Sequence, residues 1–195
     1  MGTSLGGLDA IRRVLSSLPR DFHVPIALVQ HRGVYQDESL RGVLQAATGL
    51  EVVEVDDKLP IENGRLYFAP QDYHLLVDAG SFALSVDDKV QRARPSIDVL
   101  FESAAFSYGE RLAAVVLTGA SRDGAQGTRA VLAHGGRVLA EDPALAESPL
   151  MPQAAVEAGA EALSLDGIGA RLSAFASEPR RAKSGSESWP QGQRR

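Results

Sequence analysis

Short apolar segments rich in β-branched residues alternate along this chain with segments of helical periodicity. Residues 24–29 and 112–117 form apolar runs of strand length, and the segments 8–18, 37–47 and 96–108 repeat apolar residues at helical spacing. An apolar run without polar alternation is typical of a strand buried on both faces of a parallel sheet. The alternation therefore predicts an α/β fold with a doubly wound, mainly parallel sheet and helices on both faces.

The pattern changes between Pro60 and Val86. Asn63-Gly64 and Ala79-Gly80 are turn signals in this part of the chain. They separate apolar segments that we interpret as strands, at 65–69, 74–77 and 82–86. We expect an inserted antiparallel hairpin region here. The other predicted elements are strands at 51–55 and 137–140, a helix through 131 and 132, and a last helix near 153–158.

Length and composition indicate one globular domain. The chain has 195 residues, of which 44% are hydrophobic and 23% are charged. That is enough for one sizeable core and too little for two. The segment 179–195 is polar and has no periodic apolar positions. We therefore expect a folded domain over 1–178 and a disordered polar tail after it.

The composition also argues against several functional classes. The chain contains no cysteine, which excludes disulfides, thiolate nucleophiles and zinc–thiolate sites and is compatible with a reducing cytoplasm. A formal net charge of −5 argues against a nucleic-acid partner. The sequence has no apolar run close to the length of a membrane span, so membrane insertion is not expected.

Ser4 lies between two glycines, Gly2 and Gly6, directly before a segment of helical periodicity. In serine hydrolases the Gly-x-Ser-x-Gly spacing forms a sharp turn from strand to helix that exposes the serine hydroxyl. The helix start points free N–H groups toward charge that develops near the serine. An ordinary turn in which Ser4 or Thr3 caps the helix is the alternative.

Two further polar residues follow predicted strands. His31 comes directly after the strand at 24–29, and Asp123 lies in a glycine-bounded loop after the strand at 112–117. Because parallel strands place their carboxyl ends at the same edge of a sheet, a hydroxyl, an imidazole and a carboxylate can meet there. Taken singly, His31 is as well explained as a structural polar residue, and Asp123 as a turn or cap residue.

Six segments, in this order, resemble the motifs of a known family, the catalytic domain of the chemotaxis protein-glutamate methylesterase CheB. The resemblance extends to about residue 170. The segments are Gly2-Thr3-Ser4-Leu5-Gly6-Gly7, Val29-Gln30-His31, Tyr67-Phe68-Ala69-Pro70 with His74-Leu75-Leu76, Arg94-Pro95-Ser96-Ile97-Asp98-Val99-Leu100-Phe101, Leu117-Thr118-Gly119 with Asp123-Gly124-Ala125, and Met151-Pro152.

The resemblance implies a cytoplasmic enzyme that hydrolyses γ-glutamyl methyl esters on chemoreceptor helices, releases methanol and in some cases deamidates receptor glutamines. It implies Ser4 as the nucleophile, His31 as the general base and Asp123 as the partner that orients His31. It implies no metal and no organic cofactor. The backbone N–H groups of Leu5 and Ala120 are our candidates for stabilising the oxyanion.

The sequence departs from the family pattern at several positions. Leu5 stands where the family usually has threonine, Ala120 stands where methionine is common, Arg122 adds a charge beside Asp123, and 32–35 replaces a proline-containing loop. These departures keep an alternative open, in which a methylesterase-like module binds a receptor or signalling partner with little or no catalysis.

Two features concern the organisation of the chain. There is no room in it for the receiver domain that gates the chemotaxis enzyme, so we expect a chain that is ungated in cis, controlled by another protein, or a fragment. Only Met1, Gly2 and Thr3 precede Ser4, whereas such a turn normally follows a full buried strand. Either the start is truncated or the sheet lacks a strand at its centre, and on folding grounds we expect a truncated first strand or a misplaced start. His74 is interpreted as a structural residue, Asp98 as the cap of its own helix, and His23 and His134 as surface residues.

Overall fold

The computed structural model describes residues 1–31 and 40–178. A seven-stranded sheet has the order β3-β4-β2-β1-β7-β8-β9, all its neighbouring strands are parallel, and β5 and β6 form a separate antiparallel pair. The predicted fold class is confirmed. The strands are β1 Gly2–Thr3, β2 Ile26–Gln30, β3 Glu51–Glu54, β4 Arg65–Phe68, β5 His74–Asp78, β6 Ser81–Ser85, β7 Ala113–Val116, β8 Arg137–Glu141 and β9 Glu161–Leu163.

Helices cover both faces of the sheet and create two apolar cores. The helices are α1 Gly7–Ser17, α2 Leu40–Ala47, α3 Ile97–Tyr108, α4 Ala125–Ala133, α5 Leu150–Glu157 and α6 Leu165–Ser177. The first core, on the face of α3, α4, α5 and the β5–β6 hairpin, includes Tyr67, Phe82 and Phe101. The second core, on the face of α1, α2 and α6, includes Ile11, Leu44 and Ile168. The inner strands β2, β4, β7 and β8 are therefore covered by apolar residues on both faces, whereas the edge strands β3 and β9 keep exposed residues.

Two expectations about the order of elements were wrong. The segment Arg65–Phe68 does not belong to an antiparallel hairpin; it pairs in parallel with both β2 and β3. The chain also continues past the last predicted helix into β9 and α6. Only β5 and β6 form the inserted hairpin within the described residues. The start of the helix expected at 37–47 and the tail at 179–195 lie outside the described residues.

The centre of the sheet holds a short strand. Gly2 of β1 pairs with Val29 of β2 on one side and with Val116 of β7 on the other. Met1 is buried in the second core, and its amino group donates a hydrogen bond to the Ala27 carbonyl at 2.6 Å. Two residues of strand therefore lead into the turn that carries Ser4.

None of the helices in the described part of the chain has the length and apolar character needed to cross a membrane.

Candidate active site

Ser4 lies on a tight turn between β1 and α1. Its backbone N–H donates to the Thr118 carbonyl at 3.0 Å, and its own carbonyl accepts from Gly7 at 3.0 Å. Gly6, which precedes α1, has a φ of 73°, in the left-handed region that favours glycine. The turn therefore follows from the glycine that the sequence places two residues after Ser4. The Ser4 side chain is half-buried, at the carboxyl edge of the sheet.

His31 lies on the neighbouring strand end. Its backbone N–H donates to the Thr3 carbonyl at 2.9 Å, so the strand ends of β1 and β2 run side by side. The Gln30 side-chain amide donates to the carbonyls of both Ser4 and His31, each at 2.9 Å. Gln30 thus ties together the two loops that carry the predicted nucleophile and base. Gln30 belongs to the motif Val29-Gln30-His31, but nothing in the sequence indicates this role.

The His31 imidazole contacts the Asp123 carboxylate. Nε2 of His31 lies 2.9 Å from Oδ2 of Asp123, and the Asp123 side chain is fully buried. Because an ionised carboxylate only accepts hydrogen bonds, Nε2 carries a proton, and in the neutral ring the lone pair is then on Nδ1. The arrangement fixes the tautomer in which Nδ1 can act as a base. Within the described residues, the Ser4 hydroxyl makes no hydrogen bond to His31.

Asp123 is held by three further donors at the start of α3. Its carboxylate accepts from the backbone of Ile97 at 2.7 Å and of Asp98 at 3.0 Å, and from the Ser96 hydroxyl at 2.8 Å. Burial alone would raise the pKa of Asp123, but the hydrogen bonds from His31, Asp98, Ile97 and Ser96 together lower it below the usual value. Asp123 therefore stays ionised beside His31.

From its position we expected Asp98 to cap its own helix, α3. This expectation was wrong. Its Oδ1 accepts from the backbone of Gly124 and of Gly127, both at 2.8 Å, at the start of α4. The first-turn amides of α3 are instead bound by Asp123. The two aspartates thus cap each other's helices. Burial, and next the charge of Asp123, raise the pKa of Asp98 to about 6 against the backbone hydrogen bonds that lower it.

His74 extends the same hydrogen-bond network. Its Nδ1 accepts from the Ser96 backbone at 3.2 Å, and its Nε2 lies 3.0 Å from the Asp88 carbonyl. With Nδ1 accepting, Nε2 donates, and the ring is neutral. The predicted structural role of His74 is confirmed, since it positions Ser96, which binds Asp123. His23 and His134 are exposed, as predicted.

Gly119, the neighbour of the oxyanion candidate Ala120, lies close to Ser4. A Cβ atom added to Gly119 would lie 2.9 Å from the Ser4 Cβ and 2.7 Å from the Met151 sulfur. The loop that continues to Ala120 therefore passes directly beside Ser4. The neighbouring amides of Ser4 and Gly119 donate to the carbonyls of Thr118 and Ser148. Within residues 1–31 and 40–178, the amides of Leu5 and Ala120 have no such acceptor.

Thr118 joins the loops around Ser4. Its hydroxyl donates to the Leu5 carbonyl at 3.0 Å and accepts from the Ser148 amide at 2.8 Å. Its backbone N–H donates to the buried Glu141 carboxylate at 2.8 Å. A threonine after an apolar strand has no local signal for this role, because each partner is distant in sequence.

Arg122 points away from the His31–Asp123 pair. Its guanidinium binds the Glu157 carboxylate at 2.9 Å on the surface. The charge that we expected beside Asp123 is therefore paired elsewhere. Leu5, the other departure named above, is 59% exposed next to Ser4. The segment 32–35 lies outside the described residues. Among the described residues, no three histidine, aspartate or glutamate side chains are placed to hold a metal ion.

Comparison with known proteins identifies close similarities. The family model described as CheB methylesterase matches residues 1–172. A protein of Leptospira interrogans is 41% identical over 159 residues, which cover 81% of this chain and 82% of that protein. The protein-glutamate methylesterase/protein-glutamine glutaminase 2 of Anaeromyxobacter dehalogenans is 43% identical over 160 residues, 82% of this chain and 47% of that protein. The chain thus spans about half the length of the second relative.

The fold is also similar to a solved structure. The crystal structure of the CheB methylesterase catalytic domain of Thermotoga maritima superposes with a TM-score of 0.83 and 33% sequence identity. The superposition covers 89% of this chain and 95% of that domain.

Proposed function

Because the chain belongs to the CheB methylesterase family, we propose that it is a cytoplasmic serine hydrolase of γ-glutamyl methyl esters on chemoreceptor helices. The observation that carries the proposal is the hydrogen bond between His31 and the buried Asp123, at the sheet edge where the Ser4 turn lies. The names of the relatives support the reaction type, and the site supports the residues.

The reaction begins at the Ser4 hydroxyl. Ser4 Oγ attacks the ester carbonyl carbon, and Nδ1 of His31 takes the hydroxyl proton. The imidazolium is stabilised by Asp123, whose own proton affinity is kept low by its donors. Collapse of the tetrahedral intermediate breaks the bond to the methoxy oxygen, which leaves as methanol with the proton from His31. The product at this stage is a glutamyl ester of Ser4.

Water completes the cycle. His31 takes a proton from a water molecule, whose oxygen attacks the Ser4 ester, and the proton then returns to Ser4 as the glutamate carboxylate leaves. The amides of Leu5 and Ala120 donate to the oxyanion in both steps, and each such donor contributes up to about 3 kcal/mol. With a glutamine side chain as substrate, the same sequence releases ammonia in place of methanol.

The test is methanol release from a methylated receptor cytoplasmic fragment. Ser4→Ala should abolish release, whereas Ser177→Ala should not change it, because the Ser177 hydroxyl bonds only within α6, to Ser173, among described residues. Unchanged release by Ser4→Ala would contradict the proposal. A parent chain that binds the fragment but releases no methanol would instead support the alternative of a binding module.

A further inference from the structure

The Gln30 side chain is bonded to the backbone of both Ser4 and His31. Its Nε2 donates to the two carbonyls, each at 2.9 Å. The Gly7 amide also donates to the Ser4 carbonyl, at 3.0 Å. Because a carbonyl oxygen has two lone pairs, both acceptor positions of the Ser4 carbonyl are filled. The direction of this carbonyl is therefore fixed from two sides.

The Ser4 carbonyl belongs to the same peptide group as the Leu5 amide. A trans peptide group is planar, and its C=O and N–H bonds point in opposite directions. The bonds from Gln30 and Gly7 to the carbonyl therefore also set the direction of the Leu5 N–H. Hydrogen bonds in a chain polarise one another, so donors on the carbonyl make the N–H of that peptide a stronger donor. This N–H is one of the two oxyanion candidates.

The peptide group of the other oxyanion candidate is held in the same way. The Gly119 carbonyl, which shares a peptide group with the Ala120 amide, accepts from the Met151 amide at 2.9 Å. Each candidate N–H thus has a donor bound to the carbonyl of its own peptide. At Gly119 that donor is a backbone amide, whereas at Ser4 one of the two donors is the Gln30 side chain. A substitution can therefore remove the contribution of Gln30 and leave the other donors in place.

The orientation of the Gln30 amide follows from its surroundings. Reversing the amide would place Oε1 against two carbonyl oxygens, and none of these three oxygens can donate. In the observed orientation, Oε1 is buried and has no hydrogen-bond partner among the residues that the structure describes. A Cβ atom on Gly7 would lie 2.7 Å from this oxygen, so glycine leaves room for it. A buried acceptor without a partner lowers stability. The two bonds that Nε2 makes to the site explain why it is kept.

We propose that Gln30 is a positioning residue for the oxyanion site, which orients the Leu5 N–H through the Ser4 carbonyl and holds the His31 backbone beside it. Gln30 acts through these backbone groups and does not touch the reacting atoms. Its effect on catalysis rests on the proposed function.

The test removes both Nε2 bonds with little change in side-chain size. Gln30→Met has no donor and also lacks the unpaired Oε1, so the melting temperature should stay within about 5 °C of the parent. Methanol release from the methylated receptor fragment should show a kcat about 10- to 100-fold lower, with KM within about threefold. The reason is that the oxyanion forms only after the substrate has bound.

Gln45→Met is the matched control, because Gln45 also bonds to backbone groups. Its Nε2 donates to the Leu50 carbonyl at 2.9 Å, and its Oε1 accepts from the Val52 amide at 3.0 Å. These bonds join α2 to β3, an edge strand of the sheet. Gln45→Met should lower the melting temperature and leave kcat and KM unchanged. A loss of kcat as large as that of Gln30→Met would indicate general loosening and would overturn the proposal.

Gln30→Glu gives a second variant of the same length. A carboxyl group has at most one donor in either protonation state, so it cannot bind both carbonyls. Its kcat should fall about tenfold, and a kcat equal to that of the parent would contradict the role of the two bonds. If Gln30→Met does not fold, Gln30→Glu takes its place in every measurement.

A further readout does not depend on the reaction. In ¹⁵N relaxation measurements, the order parameter of the Leu5 amide should fall by at least about 0.1 from the ~0.85 of rigid backbone in Gln30→Met, and should not change in Gln45→Met. Unchanged Leu5 order in Gln30→Met, or a kcat within about threefold of the parent, would overturn the proposal. A parent chain that releases no methanol would contradict the proposed function, and the Leu5 order parameter would then decide this inference by itself.

Discussion

Asp98 offers a test of the reciprocal capping because its two substitutions act differently. Asp98→Ala removes the acceptor of the Gly124 and Gly127 amides, which are buried at the start of α4. Each buried donor left without a partner costs about 1–3 kcal/mol. We therefore expect Asp98→Ala to lower the free energy of unfolding by about 2–6 kcal/mol. Asp98→Asn keeps an oxygen in place and should avoid most of this loss.

Asp98→Asn should also change how stability depends on pH. The pKa of Asp98 rises from 3.8 to about 6 in the folded protein, first through burial and then through the charge of Asp123. Between these values the folded state binds more protons than the unfolded state, so this group makes stability fall as pH rises. The rise corresponds to about 3 kcal/mol. Asparagine carries no such proton.

The measurement is urea unfolding of the parent and both variants, followed by far-UV circular dichroism between pH 4 and pH 7. Relative to the parent, Asp98→Asn should gain about 3 kcal/mol as the pH rises from about 4 to about 6, with little change above that range. A difference that stays constant over this range would refute the reasoning about the Asp98 charge. A neutral effect of Asp98→Ala at every pH would refute the capping role.

Two further predictions concern Asp123 and Met1. Asp123→Asn should lower kcat about 10⁴-fold with little change in KM. The new asparagine amide can donate to Nε2 of His31, which moves the ring proton to Nδ1 and removes the base. Steady-state kinetics of methanol release measures both constants. A loss below tenfold would contradict this tautomer argument. Burial lowers the pKa of the Met1 amino group from 8.0 to about 5. Between these values the folded state binds fewer protons than the unfolded state, so this group makes the free energy of unfolding rise with pH, by about 4 kcal/mol in total. An Nα-acetylated chain should lack this rise in urea unfolding, and an identical pH profile for both chains would exclude it.

The parallel sheet and the closeness of its loops could be predicted from local patterns. Apolar runs without alternation indicate buried parallel strands, and parallel strands end at one edge, so His31 and Asp123 were expected near each other. Their 2.9 Å contact follows from this topology. Which strands pair with each other is harder to predict from the sequence. Asn63-Gly64 predicts a local turn, but Arg65–Phe68 pairs with two strands of the parallel sheet, and only tertiary packing decides between them.

The supporting residues could not be predicted for a related reason. Cap rules concern residues within one helix turn, and they place Asp98 at its own helix. The observed caps join Asp98 to Gly124 and Asp123 to Ile97, each across 26 residues of sequence. Such a reciprocal pair exists only once α3 and α4 are packed together. The residues that orient Asp123 are therefore a property of the assembled fold.

The strand β1 holds the Ser4 turn in the centre of the sheet. Its carbonyls at Met1, Gly2 and Thr3 accept from Val29, Leu117 and His31, and the next residue is Ser4. The position of the Ser4 hydroxyl therefore depends on how firmly a two-residue strand is held between β2 and β7. Local opening of these few bonds would move Ser4 relative to His31, whose own amide is bound by the Thr3 carbonyl. The stability of this short ladder and the geometry of the site are thus coupled through one strand.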